Sequence, residues 1–223
     1  MKRKACSIPQ ESNRRSIILF LMAYAYWTFY SLIYPIVGRW SVNYTDFLLR
    51  LPGTSHDFVL GLLLWTKSHF FLYLLMDALY KLGFTWVMVG TVAYLLYISP
   101  TEAERTAKSY LLSFLVLSAI FLVAYVFPPH LVYPDLPRRY APPGWDARPQ
   151  FVLPSPHCTI DTISFLALAR RKEVLARIMA FLVVLIPLST VLLAEHWLWD
   201  ALSGIFLGWL VDRYSRNFFN SGG

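Results

Sequence analysis

Charged residues and cysteines are both scarce in this sequence. Only 15% of its 223 residues are charged, against roughly a quarter in soluble globular proteins. With 57% hydrophobic residues, this deficit excludes an ordinary soluble domain. The two cysteines, Cys6 and Cys158, lie in very different surroundings and are too few for a disulfide framework or a cysteine-based metal site.

Positive charge and aromatic residues are plentiful. Twenty Lys and Arg against thirteen Asp and Glu give a formal net charge of +7. The basic residues occur in short clusters between apolar runs and form no stripe along one face, so nucleic-acid binding is the weaker interpretation. Aromatic residues make up 17% of the chain, which fits side chains that anchor at a membrane interface. We therefore expect a lipid bilayer, and no nucleic acid, as a partner.

Six apolar runs predict transmembrane helices, because a helix needs about 20 apolar residues to cross a hydrocarbon core of about 30 Å. A further run, 58–76, is ambiguous. Lys67, His69 and Asp77 lie inside or beside it, and charges at mid-bilayer are unfavourable, so we predict an interfacial or re-entrant helix there. The six predicted spans are 16–37, 83–99, 109–127, 157–170, 174–194 and 197–211.

The distribution of basic residues predicts how the helices are oriented. With six spans both termini are cytoplasmic, and thirteen of the twenty Lys and Arg lie in short inside segments. With seven spans the termini would lie on opposite sides. We therefore expect an all-α polytopic membrane protein: a basic cytoplasmic tail at 1–15, a single six-helix domain at 16–213 and a second cytoplasmic tail at 214–223. The proline-rich segment 128–156 is its outer loop.

Two polar clusters are expected at the outer membrane face. Ser155 and His157 stand where the outer loop gives way to the fourth span, and a helix N-terminus there favours an anion. His196 and Asp200 lie where the fifth span ends and the sixth begins. They are four residues apart, so on a helix the carboxylate would hold and orient the imidazole. An anion site with a histidine and a carboxylate-backed histidine is a combination suited to phosphoryl transfer.

Both clusters resemble the motifs of a known family. Residues 154–157, Pro-Ser-Pro-His, resemble the Pro-Ser-x-His motif of the type 2 phosphatidic acid phosphatase superfamily. Residues 189–200 run Ser-Thr, five residues, His, three residues and Asp, and resemble its Ser-Arg-(five)-His-(three)-Asp motif. The run Glu195-His196-Trp197, followed by Gly204, is most similar to the branch that includes inositol phosphorylceramide synthases and many prokaryotic membrane phosphatases.

The resemblance implies a role for each matching residue. His196 would attack phosphorus to form a phosphohistidine, Asp200 would orient it, and His157 would protonate the leaving oxygen and later activate water or an acceptor hydroxyl. Ser155 would bind a phosphate oxygen, and no cofactor or metal would be needed. The substrate would be a phospholipid or polyprenyl phosphate, and hydrolysis would take place on the extracytoplasmic face of the plasma membrane.

Three positions depart from the family pattern. Pro156 has no backbone N–H to donate. Thr190 stands where the phosphatases carry arginine, although it holds the position expected to reach the phosphate. The family's Lys-(six)-Arg-Pro motif is not recognisable. Because a phosphoryl group needs cationic help, we expect Arg138 and Arg139 in the outer loop to supply it, with Arg148 behind them.

Other interpretations remain open at this point. The same fold would allow transfer of a phospho-headgroup between lipids instead of hydrolysis. A metal-dependent membrane hydrolase would use His157, Asp161, His196 and Asp200 as ligands, whereas a transporter or scaffold would need neither histidine. Asp161, four residues after His157, would otherwise be a second orienter, cap a helix or make a polar contact between helices. Glu195 would bind substrate or face headgroups.

Overall fold

A computed structural model describes residues 8–137 and 151–220 of the chain. About 81% of it is helical, which agrees with the predicted all-α class. The described ranges form nine α-helices: α1 (Ile8–Val37), α2 (Thr45–Leu48), α3 (His56–Ser68), α4 (Phe70–Ile98), α5 (Pro100–Val123), α6 (Pro129–Val132), α7 (Pro156–Ala169), α8 (Val174–Leu192) and α9 (Leu198–Asn220). A 3₁₀ turn at Gly38–Trp40 and two short parallel strands, β1 (Val42–Asn43) and β2 (Ala124–Tyr125), complete them.

In the described parts of the chain, four helices are long and apolar enough to cross a membrane: α1, α4, α5 and α8. Helix α7 has only 14 residues, and α9 carries several charged residues along its 23, so neither meets that description by length and composition. Both coincide with predicted spans, at 157–170 and 197–211. The membrane character of the chain is therefore supported, and the count of six spans stays a prediction.

The ambiguous run 58–76, which we predicted to be one interfacial or re-entrant helix, is divided between two helices, α3 and α4. Helix α3 ends at Ser68, and its 13 residues are too few to cross a bilayer. Helix α4 already begins at Phe70, about three and a half turns before the predicted start of its span at 83. Asp77, which we had grouped with the interfacial run, therefore lies inside α4. The helix tolerates it because Lys81, four residues on, donates to it at 2.6 Å.

Helix α7 occupies the centre of the molecule and contacts α4, α5, α8 and α9, while α1 packs along α5. Tyr30 and Tyr34 of α1, Phe114 of α5 and Ile160 of α7 belong to the main buried cluster. Large apolar side chains cover the outward faces instead, such as Leu32, which is 71% exposed. Such a surface is stable where it faces lipid.

One end of the bundle is held by ion pairs. Asp212 of α9 accepts from Arg170 at the end of α7 and from Arg216, both at 2.7 Å. Arg105 of α5 bonds Glu102 at 3.0 Å and lies 3.9 Å from Asp212. The first residues of α5 and the last residues of α7 and α9 are thus neighbours, as the predicted inside segments require.

The opposite end is covered by the short helices. Leu48 of α2, Val59 of α3 and Trp197 form a second buried cluster there. The Trp197 indole N–H donates to the carbonyl of Phe127 at 2.7 Å, and Lys67 donates to the carbonyl of Pro137 at 2.8 Å. This cover lies over the end of the molecule at which α7 and α9 begin.

Candidate active site

The first residues of α7 are fastened to α9. The backbone N–H of Ser155 donates to the carbonyl of Asp200 at 3.0 Å. The Ser155 hydroxyl caps α7 by accepting from the Cys158 N–H at 3.4 Å, which leaves its own proton for another partner. Ser155 is fully buried. Two helix N-termini, each favourable for negative charge, therefore lie side by side.

Glycine makes this close approach possible. A Cβ atom at Gly204 of α9 would lie 2.6 Å from the carbonyl oxygen of Ser155 and 2.9 Å from the Cβ of Cys158. One turn further on, a Cβ at Gly208 would lie 2.5 Å from the carbonyl oxygen of Thr159. The Gly-x-x-x-Gly spacing thus lets the two helices pack with their backbones almost in contact, as small residues do between membrane helices.

His196 and Asp200 come together, although not on one helix. His196 lies in the turn before α9, which begins at Leu198. Its Nδ1 is 3.7 Å from Oδ2 of Asp200, a distance for electrostatic contact and too long for a good hydrogen bond. The same Oδ2 accepts from the Trp197 N–H at 2.8 Å. Both side chains are buried, and this contact leaves Nε2 as the His196 atom turned away from Asp200.

The turn that carries His196 is built on Thr190. The Thr190 carbonyl accepts from the backbone N–H groups of Glu195 at 3.0 Å and His196 at 3.1 Å. Ala194, directly before Glu195, has φ of 55°, a left-handed conformation that ends α8 sharply. The Thr190 hydroxyl donates to the carbonyl of Pro187 at 2.8 Å, so its only proton is engaged. Its expected contact with phosphate stays a prediction, whereas its backbone positions His196.

His157 faces His196 from the start of α7. The centroids of the two imidazole rings are 5.9 Å apart, with 67° between the ring planes. Tyr80 stacks on the His157 ring at 5.4 Å, and Phe84 meets it edge-on at 4.8 Å. The two aromatic residues come from α4, one turn apart. Both pack against the His157 ring and help to fix its position beside His196.

Two further acidic residues near the motifs are buried. Glu195 is 4% exposed, next to His196 in the same turn, so it does not face lipid headgroups. Asp161 is 1% exposed and lies inside α7, so it does not cap that helix. Across the described parts of the chain, no three His, Cys, Asp or Glu side chains converge as metal ligands would. The four ligands of the metal hypothesis, which include Asp161, are therefore not gathered at one point.

The expected cations cannot be placed. Arg138, Arg139 and Arg148 all lie outside the described residues. The chain leads toward them at Pro137, whose carbonyl is bound by Lys67. Sequence reasoning overlooked Lys81, which follows Tyr80 directly on α4 and lies one turn before Phe84. Lys81 thus places a positive charge on the part of α4 that contacts the His157 ring.

Comparison with known proteins agrees with this geometry. A family model described as the PAP2 superfamily matches residues 46–211, which include every described site residue above. The chain belongs to the PAP2 superfamily. Members of the PAP2 superfamily are phosphatases or phosphotransferases, so an enzyme of this general kind is indicated. A protein of Methanocaldococcus jannaschii, described only as uncharacterized, is 25% identical over 182 residues, or 78% of this chain and 73% of that protein. No solved structure matches the chain.

The PAP2 motifs in the sequence gave no indication of the aromatic contacts that Tyr80 and Phe84 make with the His157 ring. Tyr80 and Phe84 lie more than seventy residues before His157, where the ambiguous run 58–76 gives way to the span predicted at 83–99. Their spacing of four residues places them on one face of a helix. That signal was available, but nothing in the sequence said which residue this face would contact.

Proposed function

We propose that the protein is an integral membrane lipid phosphatase that acts through a phosphohistidine on His196. The observation that carries this proposal is the pair of imidazole rings, 5.9 Å apart, with Asp200 beside only one of them. Such an asymmetric pair suits two different tasks, a nucleophile that is oriented by a carboxylate and a separate acid.

In the first step, Nε2 of His196 attacks phosphorus while the bond from phosphorus to the lipid oxygen breaks. Asp200 stabilises the positive charge that develops on the His196 ring. His157 donates its proton to the leaving oxygen, and a lipid alcohol results. Ser155 donates to a non-bridging phosphate oxygen, and the N-termini of α7 and α9 favour the negative charge. Arg138 and Arg139 supply the cationic help, with Thr190 close to the same oxygens.

In the second step, the neutral His157 accepts a proton from water while the water oxygen attacks the phosphohistidine. The phosphorus–nitrogen bond breaks, inorganic phosphate leaves and His196 is regenerated. An acceptor lipid hydroxyl in place of water would make the same residues a phosphotransferase. For a phospho-headgroup, this is the reaction of the inositol phosphorylceramide synthase-like branch, whose motif the run 195–197 resembles.

We place the site at the extracytoplasmic face of the plasma membrane, with six spans and both termini inside. Two features support this. The ion-paired end holds Arg105, Arg170 and Arg216, which the positive-inside rule assigns to the cytoplasm. The histidines lie at the other end, beneath the cover formed by α2 and α3.

Product analysis with the purified protein tests the proposal. Phosphatidic acid, a polyprenyl diphosphate and a phosphoinositol lipid are offered separately, with and without a lipid alcohol as acceptor. Release of inorganic phosphate supports the phosphatase, and transfer of the phospho-headgroup to the acceptor supports the phosphotransferase. Loss of activity on chelation would favour the metal hydrolase. Equal product formation by wild type and His196→Ala would reject the phosphohistidine, and no product from any of the lipids would favour a transporter or scaffold.

A further inference from the structure

A cavity of about 490 Å³ lies between α7, α8 and α9. This volume is within the range of small-molecule binding sites. Its wall is almost entirely apolar, and its outer rim consists of side chains that are 45–59% exposed on the lipid-facing surface: Val184, Leu202 and Phe206. The cavity therefore opens sideways, toward the hydrocarbon region of the bilayer.

Asp161 is the exception on this apolar wall. It is 99% buried, and neither carboxyl oxygen has a hydrogen-bond partner among the described residues. The neighbouring Thr162 hydroxyl is no such partner, since it donates to the carbonyl of Cys158 at 2.7 Å. A buried carboxyl without a partner is costly, so one that lines a cavity indicates a ligand able to complete it.

A second polar feature lies on the same wall. Pro187 interrupts α8 and has no N–H to give to the carbonyl of Val183, four residues earlier. Pro187 and Val183 both line the cavity. Two polar groups are thus associated with this wall, the Asp161 carboxyl and a Val183 carbonyl without its usual helical donor. What they have in common is the capacity to accept a hydrogen bond.

We infer that this cavity binds a neutral lipid with a long hydrocarbon chain and a free hydroxyl group, and that the hydroxyl hydrogen-bonds to Asp161. A plain hydrocarbon chain would leave the carboxyl unpaired, and a phosphorylated headgroup would bring negative charge against it. A hydroxyl group forms a hydrogen bond with the Asp161 carboxyl. The hydrocarbon chain fills the apolar part of the cavity and extends past its rim toward the lipid.

The position of the cavity suggests what the bound alcohol does. Asp161 lies one helical turn after His157 on α7, toward the middle of that helix. A lipid alcohol is the product of the proposed hydrolysis and the acceptor in the proposed transfer. The role of the site in the reaction rests on the proposed function, but the ligand chemistry follows from the cavity alone.

A photo-crosslinking experiment tests the binding directly. The purified full-length protein in phosphatidylcholine nanodiscs is irradiated with a sixteen-carbon alcohol that carries a diazirine on its chain, or with the methyl ether of that alcohol. We expect the alcohol to label the α8 and α9 segments that line the cavity about fivefold more than the ether, as one hydrogen bond would provide. Asp161→Asn should keep the preference, because an amide still hydrogen-bonds a hydroxyl, and Asp161→Leu should abolish it.

The chain offers a matched control. A second apolar groove of about 370 Å³ lies between α4 and α8, where Leu82 is 51% exposed and no carboxylate lines the wall. Leu202→Trp narrows the proposed cavity and should reduce labelling by the alcohol severalfold, whereas Leu82→Trp should leave it unchanged. If Asp161→Leu fails to accumulate, this pair of variants decides the question.

Equal labelling by alcohol and ether in the wild type would overturn the inference. So would a preference that survives in Asp161→Leu, or labelling that responds to Leu82→Trp and not to Leu202→Trp. The same labelling is measured in His196→Ala, because crosslinking does not require catalytic turnover. A preference for the alcohol there, combined with no phosphate release from any lipid by the wild type, would refute the proposed function and leave the binding site standing.

Discussion

Gly204 lies against the backbone of Ser155, so close that a Cβ would sit 2.6 Å from its carbonyl oxygen. This contact joins the two polar clusters, because Ser155 opens α7 and Gly204 lies one turn after Asp200 on α9. The distance between His157 and His196 therefore depends on a position that has no side chain.

Gly204→Ala is expected to lower turnover at least tenfold, because its Cβ meets backbone that cannot move aside and α9 must shift with Asp200. Overpacking of this kind costs about 1–3 kcal/mol of stability. Gly61→Ala in α3 is the control, since nothing lies within 4 Å of its Cβ position. Melting temperature and turnover are measured for both. Full activity of Gly204→Ala would show that the histidine spacing does not depend on this contact.

The two histidines should differ in what their removal prevents. His196→Ala is expected to abolish both phosphate release and formation of a phosphoenzyme, because the attacking atom is gone. His157→Ala should lower turnover by about two orders of magnitude or more, yet still form the phosphoenzyme from a substrate with a good leaving group. Acid quenching with ³²P-labelled substrate measures the intermediate. A label found on a residue other than His196 would contradict the assignment.

The sequence predicted the apolar helices well, and it predicted their ends poorly. Runs of apolar residues can hardly form anything other than buried or lipid-facing helices, so the locations of α1, α5 and α8 followed directly. The start of α4 did not, because Asp77 was counted as an isolated charge. Pairing with Lys81 four residues later removes most of that cost, and a composition-based boundary does not register such a pair.

Some features of the candidate site could likewise be predicted from the sequence, and others could not. Short-range spacing grouped Ser155 with His157 and His196 with Asp200, and the structure brings both pairs together. Their catalytic roles stay a prediction. Tyr80 could not be identified, since its stacking on His157 depends on how α4 packs against α7. The geometry at Asp200 also differed from a simple helical pair, because α9 begins only after His196.

The membrane topology is testable by cysteine labelling. In a Cys6→Ser background, Asp146→Cys in the outer loop is expected to react with an impermeant maleimide in intact cells. Lys172→Cys, between α7 and α8, should react only after the cells are opened. The native Cys158 is buried and serves as the silent background. The reverse pattern would place the histidines on the cytoplasmic side.

Stability at the end of the molecule that the short helices cover should depend on pH through His56. Its hydrogen bonds to Asp57 and Asp135 raise the pKa of His56 above its ordinary value. A raised folded-state pKa gives stabilisation that is fully present below the unfolded pKa and lost as pH rises through the folded pKa. His56→Gln should therefore lower the melting temperature more at pH 5.5 than at pH 8.5. An equal effect at both values would mean that the charge of His56 contributes nothing.

The last prediction concerns the cation that Thr190 replaces. Removing one charge-assisted donor from a partly dehydrated site costs about 2.7–4 kcal/mol in the transition state, or a factor of roughly a hundred to a thousand. An arginine that only touches lipid headgroups contributes about 1 kcal/mol, and its effect fades with salt. Arg138→Ala or Arg139→Ala is therefore expected to lower turnover at least about a hundredfold, with little dependence on ionic strength.

Arg39→Ala is the matched control, because the exposed Arg39 side chain lies 4.1 Å above the ring of Trp40, just after the end of α1. Its loss should change turnover by no more than a few fold. Near-normal turnover in both Arg138→Ala and Arg139→Ala would reject the two arginines as phosphate ligands. Lys81→Gln would then be the variant expected to lose activity, since Lys81 lies between Tyr80 and Phe84 in the sequence of α4. Its ammonium group forms an ion pair with Asp77 of the same helix.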